Sequence, residues 1–216
     1  MQDDDEATHT AREDLCRFLA ACYYEPGPEF AEEKLFDSMR DAAGRIDADL
    51  AASARRLGEL FATEGHDNLL LDYTRLFLGP IQPLAKPYGS VWMSADSSLM
   101  GDTSMAVVEL YDEGGFEIAE DFRELPDHIA AELEFLYLLN FRQNQARRTG
   151  DGQALETITA LRDRFLAGHL GRWAGPFTAA VVAGAKSAFY RELAGLTARF
   201  VALQAAQKAA IDQPPG

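Results

Sequence analysis

The densest run of residues able to do chemistry is Leu125-Pro126-Asp127-His128-Ile129-Ala130-Ala131-Glu132. A proline suits the first turn of a helix, where its missing N–H costs nothing, so Pro126 predicts a helix start. That start places Asp127 and His128 in the first turn, with Glu132 one turn below His128 on the same face. Three chemistries suit the arrangement. Asp127 can complement the helix dipole while His128 pairs with Glu132 as a surface contact. His128 and Glu132 can chelate a metal, since side chains four apart on a helix converge. The free N–H groups of the helix start, with His128, can bind a carboxylate, a phosphate or a peptide backbone. Spacing alone leaves all three open, and a helical nucleotide or metal hydrolase using His128 and Glu132 stands as one alternative function.

Other reactive constellations are missing. The four histidines (His9, His66, His128 and His169) form no HExxH, no paired ExxH and no Cys–His set. Cys16 and Cys22 sit six apart in an apolar helical stretch, which predicts two buried thiols on neighbouring faces rather than a disulfide. No GxSxG elbow proposes a nucleophile, and neither a Walker-type phosphate loop nor GxGxxG proposes a nucleotide. One aromatic stands apart. Trp92 lies in GPIQPLAKPYGSVWMSADSSLMGDT, residues 79–103, which is rich in Gly, Pro and Ser and lacks a helical period. Loops of this length are uncommon in compact domains and are usually functional or disordered. Tyr88, Val91, Trp92 and Met93 predict that this one packs on the rest and presents a surface. A third reading makes it mere packing in a helical scaffold without a client.

The elements that must position these residues read as helices. Thr10-x-x-Glu13 forms a capping box, followed by Leu15, Phe18, Leu19 and Cys22 at helical spacing. Pro26-Gly27-Pro28 stops that helix, a second runs from about Glu29 to Ala43, and Gly44 ends it. Ile46, Leu50, Ala54, Leu57 and Phe61 stripe a third, and Asp67 can cap a fourth carrying Leu70, Tyr73 and Phe77. Beyond Pro126, Ile129, Leu133, Leu136 and Asn140 line a long helix; Leu155, Ile158, Leu161 and Phe165 line the next, which Gly168 closes. Leu170, Trp173 and Phe177 suit another, with Pro176 predicted to kink it or open a new one. Phe189, Leu193, Leu196, Phe200 and Leu203 mark the last. The pattern predicts an all-α bundle of about nine to ten helices with one long Pro/Gly-rich loop.

Charge narrows the partners. Lys and Arg number 20 against 35 Asp and Glu, a net charge of −15 that repels phosphate backbones and anionic lipid and attracts basic segments. No apolar run approaches the roughly 18 residues of a membrane span. The N-terminus MQDDDEATHT lacks the basic-then-apolar pattern of a secretory signal, and a cytoplasmic location is expected.

Two segments then carry a resemblance. Tyr73-x-x-Leu76-Phe77-x-Gly79-Pro80, followed by Pro87-Tyr88-x-Ser90-Val91-Trp92, resembles the first signature of the TorD/DmsD family of redox enzyme maturation chaperones, which are related to NarJ. Pro126-Asp127-His128-Ile129-x-x-Glu132-Leu133-x-Phe135 is similar to the second, and Phe165, His169-Leu170, Trp173, Phe177 and Phe189-Tyr190 fall where the family has similar residues. Leu125 departs from the glutamate often found there, although Glu124 is adjacent, and Tyr88 stands where some members have Trp. The resemblance implies one helical domain over residues 1–216, with an N-terminal part to about 103, a hinge at about 104–125 and a C-terminal part at about 126–210. It implies a monomer or a domain-swapped homodimer, and no enzymatic step. It further implies binding to the twin-arginine signal peptide and the apo form of a molybdenum-cofactor enzyme before export, or, in a NarJ-type alternative, to a reductase subunit that is not exported. Tyr73, Leu76, Phe77, Pro87, Tyr88, Ser90 and Trp92 would supply the hydrophobic part of the peptide site, and Asp127, His128 and Glu132 its polar part. No cofactor is implied beyond the weak guanine-nucleotide binding of some members.

Overall fold

Leu15, Cys16, Leu19 and Cys22 recur at helical spacing and bury one face of α1 (Gln2–Cys22). The computed structural model describes residues 2–79, 82–93, 101–119 and 122–211. Within them follow α2 (Glu29–Glu32), α3 (Leu35–Ile46), α4 (Ala48–Glu64), α5 (His66–Tyr73) and a π-helical turn (Thr74–Leu78). Then come α6 (Gly89–Met93), α7 (Asp102–Gly114), α8 (Ile129–Thr149), α9 (Gly152–Gly168), α10 (Leu170–Gly184) and α11 (Ala188–Ile211). The architecture is all-α, and the short α2 and α6 raise the helix number above the nine to ten expected. Seven helices close a ring: α1 packs on α8, α8 on α9, α9 on α10, α10 on α11, α11 on α4, α4 on α3, and α3 back on α1. One apolar cluster fills the ring, from Leu15 on α1 to Val201 on α11, with Trp173, Phe135 and Phe177 among its largest members. Among the described residues no helix is long and apolar enough to cross a membrane.

Several boundaries differ from the sequence reading, each for a local reason. α1 starts at Gln2, so Thr10 and Glu13 lie mid-helix rather than in a capping box. The helix expected over 29–43 breaks at Lys34, whose φ of 54° is left-handed. α3 then continues past Gly44 to Ile46. Asp47 separates it from α4 by accepting the Asp49 and Leu50 N–H groups. Asp67 is in the first turn of α5 rather than its cap, which is Gly65. α10 runs through Pro176. On α11 Leu203 is exposed, while Gln204 turns inward to receive the guanidinium of buried Arg162. The loop of residues 79–103 holds α6, and the stretch 104–125 lies partly in α7. Both thiols are free and buried, and burial pushes Cys16 up to about 12 and Cys22 higher still.

Candidate functional site

The π-helical turn is where the site begins. Its extra residue lets the Gly79 N–H reach the Thr74 carbonyl, and Gly79 then turns the chain with φ of 58°. A side chain there would meet the Pro83 nitrogen at 2.5 Å, so only glycine fits. The returning chain donates from Leu84 to the Arg75 carbonyl and from Ala85 to the Leu76 carbonyl. Leu76 is fully buried, and Phe77 lies edge-on to Tyr23, Tyr73 and Tyr190.

Residues 87–90 then pair with residues 127–129. Tyr88 and His128 form an isolated antiparallel bridge, with the Ile129 N–H donating to Pro87 and the Gly89 N–H to Asp127, both at 2.8 Å. The Asp127 carboxylate also accepts the Ser90 N–H at 2.7 Å, anchoring the start of α6. Trp92, at the other end of α6, donates to the Lys86 carbonyl at 2.8 Å and meets Phe177 edge-on. The structure thus joins the two sequence signatures through main-chain hydrogen bonds and places Trp92 and His128 in one continuous unit.

This pairing changes the role of the second signature. α8 begins at Ile129, so Pro126 and Asp127 precede the helix and His128 is its cap, accepting the Ala130 N–H on Nδ1 at 3.1 Å. That bond requires Nδ1 to be unprotonated, and burial pulls the imidazole down to about 4. Glu132 does not pair with His128. Its Oε2 accepts Trp173 Nε1–H at 3.1 Å, inside the core. Burial first, and then the charge of Asp127, hold the Glu132 carboxyl well above its usual range. Gly89 packs against this pair so closely that a Cβ would lie 2.9 Å from Trp173 Nε1 and 3.1 Å from Glu132 Oε1. With His128 capping α8 and Glu132 on Trp173, neither the surface ion pair nor the two-residue chelate foreseen at this spacing is formed.

Of the ten residues expected to make the peptide site, Tyr73, Leu76, Phe77, Pro87, Ser90, Asp127, His128 and Glu132 are buried, while Tyr88 and Trp92 are half-buried. The accessible surface over them is built by Tyr88 and Glu124 together with residues that motif reading missed. Tyr24 lies parallel to His128 at 6.4 Å between ring centres, and Tyr88 and Phe122 meet the same imidazole edge-on at 5.5 and 6.3 Å. The Tyr24 hydroxyl donates to Glu134 Oε1 at 2.8 Å, and the Tyr88 hydroxyl donates to Glu124. Tyr24, Phe116, Phe122 and Glu134 line a recess of about 370 Å³. A sequence signal did exist for Glu134: two residues beyond Glu132 on a helix, it faces roughly 200° away from it.

Both signatures fall inside residues 43–179, which match the family model for the nitrate reductase delta subunit. The chain belongs to that family. Over 185 residues it is 29% identical to the Tat proofreading chaperone DmsD of Salmonella typhi, covering 83% of this chain and 82% of that one. It is 26% identical over 216 residues to the chaperone protein TorD of Shewanella loihica, covering 93% and 94%. A solved redox enzyme maturation protein from Archaeoglobus fulgidus shares the fold, with a TM-score of 0.55 at 22% identity over 88% of this chain and 93% of that one. As a member of this family the chain is a redox enzyme maturation chaperone of the TorD/DmsD kind and not an enzyme. The buried residues of the two signatures form a frame, and Tyr24, Tyr88 and Phe122 with the carboxylates of Glu124 and Glu134 lie partly exposed around it.

Proposed function

We propose that this chaperone acts in the cytoplasm, where it binds the twin-arginine signal peptide and the apo form of a molybdenum-cofactor oxidoreductase and holds both until maturation is complete. The observation that carries this reading is the aromatic and acidic surface over the Tyr88–His128 bridge. Tyr24, Tyr88 and Phe122 offer apolar area around His128, Trp92 adds more at the end of α6, and Glu124 and Glu134 stand beside the tyrosines on a chain of net charge −15. A signal peptide with a basic head and an apolar stretch complements both features. Its apolar burial would supply affinity at about 25 cal/mol per Å² before ordering costs. Its charge would speed encounter and make binding sensitive to salt. Tyr88 and Trp92 contact the peptide in this reading, while Tyr73, Leu76, Phe77, Pro87, Ser90, Asp127, His128 and Glu132 hold them in place.

The test begins with the tagged protein purified from its native cell and mass spectrometry of what comes with it. Titration calorimetry with the signal peptide of the partner so identified should give saturable binding. Trp92→Ala should weaken it about tenfold or more, as expected for loss of an aromatic anchor, with the far-ultraviolet circular dichroism unchanged. Unaltered affinity in that variant would remove Trp92 from the site. The description of the matched family favours one second reading, an assembly chaperone for a reductase subunit that is not exported. A recovered partner without a signal peptide would select it.

A further inference from the structure

We propose that the corner where the π-helical turn meets the end of α10 is a separate docking surface, which takes an acidic, apolar segment from the body of the client rather than its signal peptide. This rests on the reading that the chaperone holds the apo form, and it assigns the surface that does so. Leu71, Leu78, Leu84 and Val182 are each between 45% and 64% exposed. Large apolar side chains exposed singly are ordinary, but these four converge. Gly79 lies against Pro83, which brings Leu84 back beside the turn that carries Leu78. The Leu84 N–H donates to the Arg75 carbonyl, and its side chain covers Gly184 so closely that a Cβ there would lie 3.2 Å from the Leu84 Cβ. Val182 precedes Gly184 by two residues at the same helix end. Leu71 lines a recess of about 370 Å³ that reaches Arg75, Lys186 and Ser187, just before α11.

Charge decides what kind of segment fits. Two acids of this corner are turned to the start of α11. Asp72 accepts the N–H groups of Lys186 and Ser187 at 2.9 and 2.8 Å and the guanidinium of Arg75, while Glu64 accepts the N–H groups of Ala188 and Phe189 at 2.7 and 3.5 Å. Helix-start N–H groups thus neutralise both carboxylates. The cations are left outward. Lys186 is exposed and in no ion pair among the described residues, and exposed Arg191 donates to the carbonyls of Ala185 and Lys186. Lys86 follows Leu84 by two residues, so two of the chain's four lysines adjoin the leucines. The outward acid on α5 is Asp67, one turn before Leu71. Bare leucines among surplus cations repel a basic signal peptide and favour apolar residues interspersed with acids. A short segment feels these cations within a Debye length of about 8 Å. An anionic membrane or a second copy of the chain presents extended negative charge, which the net −15 opposes.

The probe is the apo form of the enzyme recovered with the tagged chaperone, produced without its signal peptide; the control is that signal peptide alone. Leu84→Ser should lower affinity for the leaderless enzyme about tenfold or more, as expected when a leucine no longer buries its side chain on binding. Lys186→Glu should lower it about threefold, and further at low salt. Both variants should keep the wild-type circular dichroism and signal-peptide affinity. Unaltered affinity in Leu84→Ser would overturn the surface, and unaltered affinity in Lys186→Glu would overturn the acidic character of the segment. Equal loss for both ligands would mark a structural effect and overturn the assignment as well. A leaderless enzyme that the wild type does not bind would overturn it while leaving the signal-peptide reading intact; failure of the signal peptide alone to bind would sink that reading and leave this surface standing. A wild-type dimer that Leu84→Ser makes monomeric in sedimentation, or binding to phosphatidylglycerol vesicles that it abolishes, would overturn the client as occupant in favour of a second copy or a membrane.

Discussion

Acid should loosen this chaperone first of all at His128, the most deeply buried of its lowered histidines. Its imidazole is almost wholly buried, caps α8 through an unprotonated Nδ1, and has rings rather than carboxylates for neighbours: Tyr24, Tyr88 and Phe122. Burial lowers it from 6.5 to about 4. A group depressed in the folded state contributes stability that is complete above its unfolded value and is lost as pH falls through the folded one. The window therefore runs from 6.5 down to about 4, and the gap corresponds to roughly 3 kcal/mol. Protonation would also break the bond from the Ala130 N–H, so the start of α8 and the bridge to Tyr88 should loosen together. The perturbation is His128→Asn, because asparagine caps helices well and does not titrate. Urea unfolding of both proteins across this window isolates the histidine, since the remaining carboxylates cancel in the difference. The wild type should lose roughly 2–3 kcal/mol more than the variant between its neutral and acid ends. Parallel stability profiles for the two proteins would refute the argument that a buried neutral imidazole carries this acid sensitivity.

The partner effect runs in the opposite direction at Glu132. Its carboxyl is raised, so its contribution is complete at low pH and is lost as pH rises from the usual carboxylate range through the raised value. Glu132→Gln keeps an acceptor for Trp173 and removes the ionisation beside Asp127, so its melting temperature relative to wild type should climb with pH; a pH-independent difference would contradict this. Gly89→Ala places a methyl against Trp173 Nε1 and Glu132 Oε1 and should cost about 1–3 kcal/mol by chemical denaturation. The same variant should weaken signal-peptide binding, because α6 and Trp92 follow Gly89 directly.

Period and punctuation made the helices legible, and side-chain type made the core legible. Leu133, Leu136, Phe165, Trp173, Phe189, Leu193 and Phe200 are buried as their spacing predicts, and the two thiols lie where an apolar stripe puts them. What the sequence could not show was the direction in which polar residues face, because tertiary pairing decides it. Asp127, His128 and Glu132 read as an acidic tip only while Pro126 is taken as the first helical residue. The bridge to Tyr88 instead holds Asp127 in a turn and His128 extended before the helix, and that turns all three into the interior. Once inside, each needs a specific partner, and each has one: the Ser90 N–H, the Ala130 N–H and Trp173. Among the described residues, Ser90 Oγ, Asp127 Oδ1 and Glu132 Oε1 nevertheless have no protein hydrogen-bond partner. A junction that tolerates this cost is held by the packing of Gly89 on Trp173 and by the main-chain pairs around Tyr88. The same pairs fix Tyr88 and, through His128, the ring of Tyr24, and with them Glu124 and Glu134. Buried polarity therefore specifies the shape of the exposed polarity, which is why polar residues that read as exposed in sequence lie beneath the surface they shape.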